Sequence, residues 1–405
     1  MTKAHRILTI PTSSRTDAGS AQACHVLRFC YCLHKFCFDN KECLTNSSVN
    51  WSRTLKNYPG QGTSTPVMNH LIFVTGGTGF IGSHVVAQLL EKGYRVRAAA
   101  RSASKLRRIF PNTATLEVVE MSTLTSDYTE SLKGVDAVIH MAAELFSKAS
   151  STDRIYQVRF AAYNGTLHIV RQSIDAGIKK IIITGTFASL FDTQLKIAFG
   201  TELVTEKFFH PVTLETLDRN QSPMSIYQQS KTLADKKVWE LAKEHPDIDF
   251  TILLPPAVFG PLVPNFPVTD SQTSIGTNYN LTKIITTGTD SYPTYPLGHL
   301  ADVRDVARAH IAALSAPPVP ERDKRFIISN TTFKFKDVAD LIRRERPELA
   351  HRLPREYIVP PEQTDAPLDT NFAAEVLGMK EYVPWEETVL AGIDAQVAWE
   401  KQNCH

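Results

Sequence analysis

Between residues 71 and 260, short apolar runs alternate with amphipathic stretches in a regular order. "LIFVTG" is a β-branched run too short for a helix. It is followed by "SHVVAQLLEKG", whose apolar positions repeat at helical spacing and stop at Gly93. "RVRAAA" predicts a second strand, "ASKLRRI" a helix and "LEVVE" a third strand. A fourth strand is expected over 137–141, a helix over 156–176 closed by Gly177, and a fifth strand in "KKIIITGT". A long helix, "IYQQSKTLADKKVWELAKEH", and a sixth strand, "DFTILLPPAVFG", complete the series. Strands separated by helices of this length imply a parallel sheet covered by helices on both faces.

After Gly260 the pattern loosens. "PLVPNFPVTDSQTSIGTNYN" and "TTGTDSYPTYPLGH" read as loops, with a short helix "LTKIITT" between them. Further helices are expected at Val303–Ser315, 335–346 and 371–377, with a strand at 325–329. No internal repeat is visible. The expected organisation is an extension at 1–67, a nucleotide-binding core at 68–260, and a mainly substrate-binding region at 261–405 that returns to the core.

Residues 1–67 lack periodicity and hold Cys24, Cys30, Cys32, Cys37 and Cys43; only Cys404 lies elsewhere. These cysteines, with His25 and His34, do not form paired C-x2-C units, so no metal is expected. Lys3, Arg6 and Arg15 without an acid in the first sixteen residues would suit a transit peptide. The reading adopted is a disordered or spurious extension ahead of Met68. The cysteine-free body has no disulfide framework, which favours a reducing compartment, and a cytoplasmic location is expected.

Composition narrows the class. Hydrophobic content of 42% and charged content of 21% are those of a soluble globular protein. A net charge of +2 gives no case for nucleic acid or an anionic membrane surface. No apolar run approaches the roughly 18 residues needed to span a bilayer.

The glycines of "VTGGTGFIGSH" lie between an apolar strand and an amphipathic helix, where backbone N–H groups can meet a pyrophosphate. Gly76 permits the turn, Gly79 permits close approach of a phosphate, and Gly82 permits close helix packing. Phe80 and Ile81 begin the helix between them. A tight structural turn is the plain alternative. The second strand ends in "AAARSASK": Arg101 and Lys105 stand where an acid would bind the ribose hydroxyl of NAD. No Asp or Glu occurs between Glu91 and Glu117, which favours NADP(H).

Tyr227 and Lys231 are four residues apart on the long helix and share a face. An ammonium beside a phenol favours the phenolate, so the tyrosine can exchange a proton with a carbonyl oxygen. An ordinary amphipathic pair is the alternative. With "VTGGTGFIGSHV", "VRAAARSASK", "DAVIHMAA", "IITGTFAS", "IYQQSK", "ILLPPAVFGP" and "HLADVRDVARAHIAAL" in this order, the chain resembles an extended short-chain dehydrogenase/reductase. This is the NAD-dependent epimerase/dehydratase family, and the resemblance is to the branch of dihydroflavonol 4-reductase and fungal aldehyde and ketone reductases. It covers residues 71 to about 393.

The resemblance implies an α/β fold: a Rossmann-type doubly wound parallel sheet with a smaller C-terminal substrate-binding α/β region. It implies that Tyr227 is the general acid and that Lys231 bonds the nicotinamide ribose and depresses the tyrosine pKa. Thr186 stands where the family usually has a serine; its hydroxyl can polarise a carbonyl, although its methyl group crowds the site. Ser189 is a less well placed substitute. Asn164 corresponds either to a structural or to a proton-relay asparagine. Glu120 and Met121 would flank the adenine, with Glu120 where the family more often has Asp. Ala142 and Ala143 would lie near the cofactor ribose, and Pro255, Pro256 and Val258 would line the nicotinamide. His140 reads as a core histidine. Asp302 and Asp305 read as helix-capping rather than catalytic carboxylates.

Substrate contacts are expected from 189–224, with Phe208 or Phe209 in place of a tryptophan common in the branch. They are also expected from 262–299, with Phe266, Tyr279, Tyr292 and Tyr295. Aromatic loops suit a hydrophobic or aromatic aldehyde or ketone; plain loop packing is the alternative. The expected activity is NADPH-dependent carbonyl reduction by a monomer or homodimer acting on a small-molecule carbonyl or alcohol. A nucleotide-sugar epimerase or dehydratase of the same fold, and a non-catalytic NADP-sensing regulator, are the competing readings. Arg101 opposes the first and the retained Tyr/Lys pair opposes the second.

Overall fold

The computed structural model describes residues 70–142, 152–192, 194–217, 222–268, 275–293, 297–358 and 364–403, all within the compact unit Ser64–His405. The expectations for residues 1–67, Met68, Ala143, Tyr295 and Cys404 lie outside the described residues. In chain order the elements are β1 (Leu71–Thr75), α1 (Phe80–Glu91), β2 (Arg95–Ala100), α2 (Ala103–Ile109), β3 (Leu116–Glu120) and β4 (Ala137–His140). Next come α3 (Thr152–Asp175), β5 (Lys180–Thr184), α4 (Pro223–Glu244), β6 (Asp249–Leu254), β7 (Ala257–Phe259) and α5 (Asn278–Thr286). The remainder is β8 (His299–Asp302), α6 (Val303–Ser315), β9 (Arg325–Ile327), β10 (Thr331–Thr332), α7 (Phe335–Glu345), α8 (Asn371–Val376) and α9 (Trp385–Asn403).

Seven parallel strands form one sheet in the order β3-β2-β1-β4-β5-β6-β9. Side chains alternate across it. Ile72, Val74, Ile182 and Leu253 join one core with Val85, Val86 and Leu89 of α1 and Val303 and Val306 of α6. Phe73, Ile181, Ile183, Ile252 and Leu254 join the other with Ile169 and Val170 of α3 and Val238 and Trp239 of α4. Burial on both faces explains why these strands read as continuous apolar runs. The strand order reverses between β1 and β4, which opens a crevice at their C-terminal ends, the ligand position of doubly wound sheets.

The single sixth strand expected from "DFTILLPPAVFG" is two strands in two sheets. Pro255 and Pro256 supply no N–H to the ladder, so β6 ends at Leu254. The chain re-emerges as β7 beside β8 in a three-stranded sheet ordered β10-β8-β7. Neither that sheet nor α9 was expected. The buried face of α9 mixes Val389 and Ile393 with Thr388, Gly392 and Gln396, which dilutes its apolar period. Gly392 is needed there, because a Cβ would lie 2.9 Å from Leu281 of α5.

Among the described residues five histidines are buried, His84, His140, His210, His299 and His310, and burial disfavours the charged form of each. Burial draws His84, His299 and His310 down to about 4 and His140 to about 3. On unfolding each returns to about 6.5 and takes up a proton. Stability is therefore full above pH 6.5 and is lost as the pH falls towards 4. Thermal denaturation between pH 7 and 5 should show a steadily falling midpoint; a flat profile would contradict this assignment.

Candidate active site

The glycine turn fits a phosphate by its own geometry. Gly76 has φ +80°, and a Cβ there would lie 2.9 Å from the Ala142 nitrogen at the end of β4. A Cβ on Gly82 would fall on the Gly76 carbonyl oxygen, so the third glycine packs α1 against the turn itself rather than against the strand. At Gly79 only the Gly76 oxygen, 3.2 Å away, would be near a Cβ, which leaves room for a ligand atom. Gly79 caps α1 without a side-chain hydrogen bond, and the first turn carries no acid. Its N-terminal amides therefore suit an anion. Phe80 is buried in the core and Ile81 packs partly against it.

The C-terminal end of β2 is basic. Arg101 is exposed directly after β2, and Ser102 caps α2 by accepting from the Lys105 N–H at 3.2 Å. Burial and the neighbouring Arg101 charge hold the Lys105 ammonium below its ordinary value. Glu120 directs Oε2 to the Ala103 N–H at 3.2 Å, so its carboxylate is engaged at the start of α2. Met121 continues the ladder by donating its N–H to Ala100 O at 2.9 Å.

Two of the candidate groups, Thr186 and Lys231, meet where β5 and β6 end. Gly185 N–H donates to Leu253 O at 2.7 Å, and Phe187 N–H donates to Pro255 O at 3.1 Å, so the Thr186 turn runs beside Pro255. Lys231 is buried and donates to Thr184 O at 2.8 Å. The Thr184 hydroxyl is held by His310 of α6. Because His310 Nδ1–H donates to Val306 O at 2.7 Å, its Nε2 accepts the threonine proton at 2.7 Å. Tyr227 is half-buried one turn before Lys231 on the same face of α4. Thr186 Oγ1 accepts from the Ala188 N–H at 3.3 Å, which leaves its own proton to donate. Burial draws the Lys231 ammonium down to about 8, against the opposing pull of Asp235.

Several expected residues serve other purposes. Ser189 Oγ donates to Thr186 O at 2.8 Å and accepts from Arg325 at 3.1 Å, so it cannot substitute for Thr186. Asn164 is exposed; Thr166, two residues on, meets His140 Nε2 at 3.3 Å, while Thr75 Oγ1 lies 2.8 Å from Nδ1. His140 is thus the core histidine expected. Val258 is buried in the core that also holds Phe80. Asp302 caps α6 and also accepts from Arg304 and Thr388; Asp305 accepts from Arg308 and the Val383 N–H. Both are structural.

The aromatic loops divide. Phe266 packs with Ile109 of α2, and Tyr292 packs against the core shared by α5, α7 and α9. Tyr279 stacks under Lys283 at 4.8 Å on α5. Phe209 lies against the Arg325 guanidinium at 3.6 Å, and Phe208 is partly buried in the same core. Next to Thr186, Phe187 is set edge-on to Phe191 at 5.5 Å and to His299 at 5.9 Å. His299 Nε2 is enclosed and has no hydrogen-bond partner. Phe187 could have been found from its place next to Thr186. No local signal marks His299 or His310, which arrive from elements more than one hundred residues away.

Arg325 joins these parts. Fully buried in β9, it donates to Asp235 Oδ2 through Nε and Nη2 at 3.0 and 2.7 Å. It also donates to the carbonyls of Glu206 and Phe208 and to Ser189. Asp235, one turn beyond Lys231, accepts in addition from Trp239 Nε1 at 3.0 Å.

A seven-stranded parallel sheet with a glycine turn at its reversal point and a Tyr/Lys pair on the helix after β5 defines an extended short-chain dehydrogenase/reductase. The chain belongs to the NAD dependent epimerase/dehydratase family, whose model matches residues 72–328. It is 31% identical to an uncharacterized oxidoreductase of Schizosaccharomyces pombe over 76% of this chain and 92% of that one. It is 27% identical to the NADPH-dependent methylglyoxal reductase of Saccharomyces cerevisiae, over 70% and 84% of the two chains. The crystal structure of yeast methylglyoxal/isovaleraldehyde reductase complexed with NADPH shares the fold, with a TM-score of 0.71 at 24% identity. That match covers 82% of this chain and 99% of the other.

Proposed function

We propose that the protein is an NADPH-dependent reductase of hydrophobic or aromatic aldehydes and ketones. The observation that carries this reading is the buried Lys231 ammonium, bonded to Thr184 O beside Thr186 and one helical turn from Tyr227. The glycine turn holds the pyrophosphate, and Arg101 with Lys105 receives the 2′-phosphate. The NADPH-dependent activity of the yeast relative supports the same cofactor. When bound, NADPH supplies the hydride. Tyr227 gives its phenolic proton to the carbonyl oxygen, and Thr186 donates a hydrogen bond to the same oxygen. Lys231, while cationic, stabilises the phenolate left behind. Phe187, next to Thr186 and backed by the buried Phe191 ring, gives the substrate an apolar neighbour.

In this reading the region before 261 mainly holds cofactor and the region after it mainly holds substrate. The enzyme acts as a monomer or homodimer in the cytoplasm. Among the described residues no helix is long and apolar enough to cross a membrane.

The test is a pair of measurements on the full chain. Titration should show tighter binding of NADPH than of NADH. A broad panel of aldehydes and ketones should then yield at least one compound that drives NADPH oxidation. Tighter binding of NADH would favour an epimerase or dehydratase, and NADPH binding with no turnover on any compound would favour a regulator. A further expectation concerns pH: the reduction rate should fall as the pH rises through about 8, where Lys231 loses its charge. A rate that is level from pH 7 to 10 would remove Lys231 from this role.

A further inference from the structure

We propose that Phe266, on the loop after β7, is a cofactor-selectivity residue: its ring holds the Lys105 ammonium beside Arg101, where the two cations receive the ribose phosphate of NADPH. This rests on the NADP reading above. The Lys105 Nζ lies 5.2 Å from the Phe266 ring centroid, within cation–π range. Phe266 is 9% exposed and packs with Val263 and with Ile109, which follows Lys105 by one turn on α2. Ring and ammonium are therefore anchored to the same helix from two sides.

The loop is fixed independently of Lys105. Phe266 N–H donates to Val263 O at 3.2 Å, Trp399 Nε1 of α9 donates to Val268 O at 3.1 Å, and His84 Nε2 of α1 donates to Pro261 O at 2.9 Å. A residue from the C-terminal half thus sets the position of a side chain on α2, in the second βαβ unit. Lys105 needs such a support, because burial and the adjacent Arg101 charge both disfavour its ammonium. The electron-rich ring face offsets part of that cost while leaving the cation able to meet an anion. The glycine turn would serve NADPH and NADH alike.

The experiment is titration of the full-length wild type and of Phe266→Leu, Phe266→Tyr, Lys105→Ala and the double variant Lys105→Ala/Phe266→Leu with NADPH and with NADH. Phe266→Leu, which keeps apolar packing but removes the ring, should weaken NADPH binding roughly 3- to 10-fold and leave NADH within about 2-fold. Phe266→Tyr should retain the wild-type preference. In the Lys105→Ala background, Phe266→Leu should have no further effect on NADPH, because the ring acts through Lys105. Equal losses for both cofactors, an unchanged NADPH affinity in folded Phe266→Leu, or additive losses in the double variant would each overturn the inference. Should Phe266→Leu fail to fold, the inference stands if Phe266→Tyr binds both cofactors as the wild type does and falls if that variant loses its preference for NADPH. A wild type that prefers NADH overturns the NADP reading itself, and only the wild-type titration reports that failure.

Discussion

Tyr227→Phe is expected to lower the rate of carbonyl reduction by about 10²- to 10⁴-fold while NADPH still binds. The substitution removes one oxygen and the proton it carries, and leaves the ring in its half-buried place on α4. Cofactor binding should persist, because the glycine turn, Arg101 and Lys105 lie on α1 and around α2, away from this ring. Single-turnover oxidation of NADPH by the variant, with the best substrate from the panel, gives the rate; cofactor fluorescence gives the affinity. A variant that retains a tenth or more of the wild-type rate would exclude Tyr227 as the proton donor. Thr186, whose hydroxyl stands at the adjoining strand end, would then be the first candidate to replace it.

Arg325→Met should destabilise the protein by about 3–5 kcal/mol, the usual cost of leaving one member of a buried ion pair without its partner. Asp235 would keep Trp239 Nε1 as its donor, since Ser189 gives its proton to Thr186 O, while the Glu206 and Phe208 carbonyls would each lose a donor. The double variant Asp235→Leu/Arg325→Met should recover most of the loss, since apolar side chains remove the stranded charge. Denaturant unfolding of the three proteins measures this. A single variant within about 1 kcal/mol of wild type would mean that the buried network contributes little. The same network ties the Lys231 helix to the Thr186 turn and to the 206–209 segment, so the single variant should also lose activity before it unfolds.

The glycine turn and the Tyr227/Lys231 pair were legible in the sequence because each is a local pattern. Three glycines at fixed spacing decide a strand-to-helix turn, and a spacing of four decides a shared helical face. The alternation of short apolar runs with helical periods likewise sufficed for a parallel sheet covered on both faces. Even Asp302 could be assigned to capping, since a cap is a relation between neighbours in the chain. Local rules failed where two periods overlapped or were diluted. The double proline inside one apolar run separated β6 from β7, and buried Thr388, Gly392 and Gln396 obscured α9.

Everything that depends on residues distant in sequence was decided by the tertiary structure. Arg325 begins the strand expected at 325–329, and β9 pairs beside β6 and carries it into the core against Asp235. Phe266 reads as part of a substrate loop, yet the loop folds back over α2 and sets the ring beneath Lys105. His299 and His310 come from the β8–α6 segment to flank Phe187 and Thr184. The sequence by itself determined which chemistry the chain can attempt, because that chemistry rests on short-range spacing. Which side chains hold those groups in place depended on the packing of the sheet, since burial and charge pairing have no fixed separation along the chain.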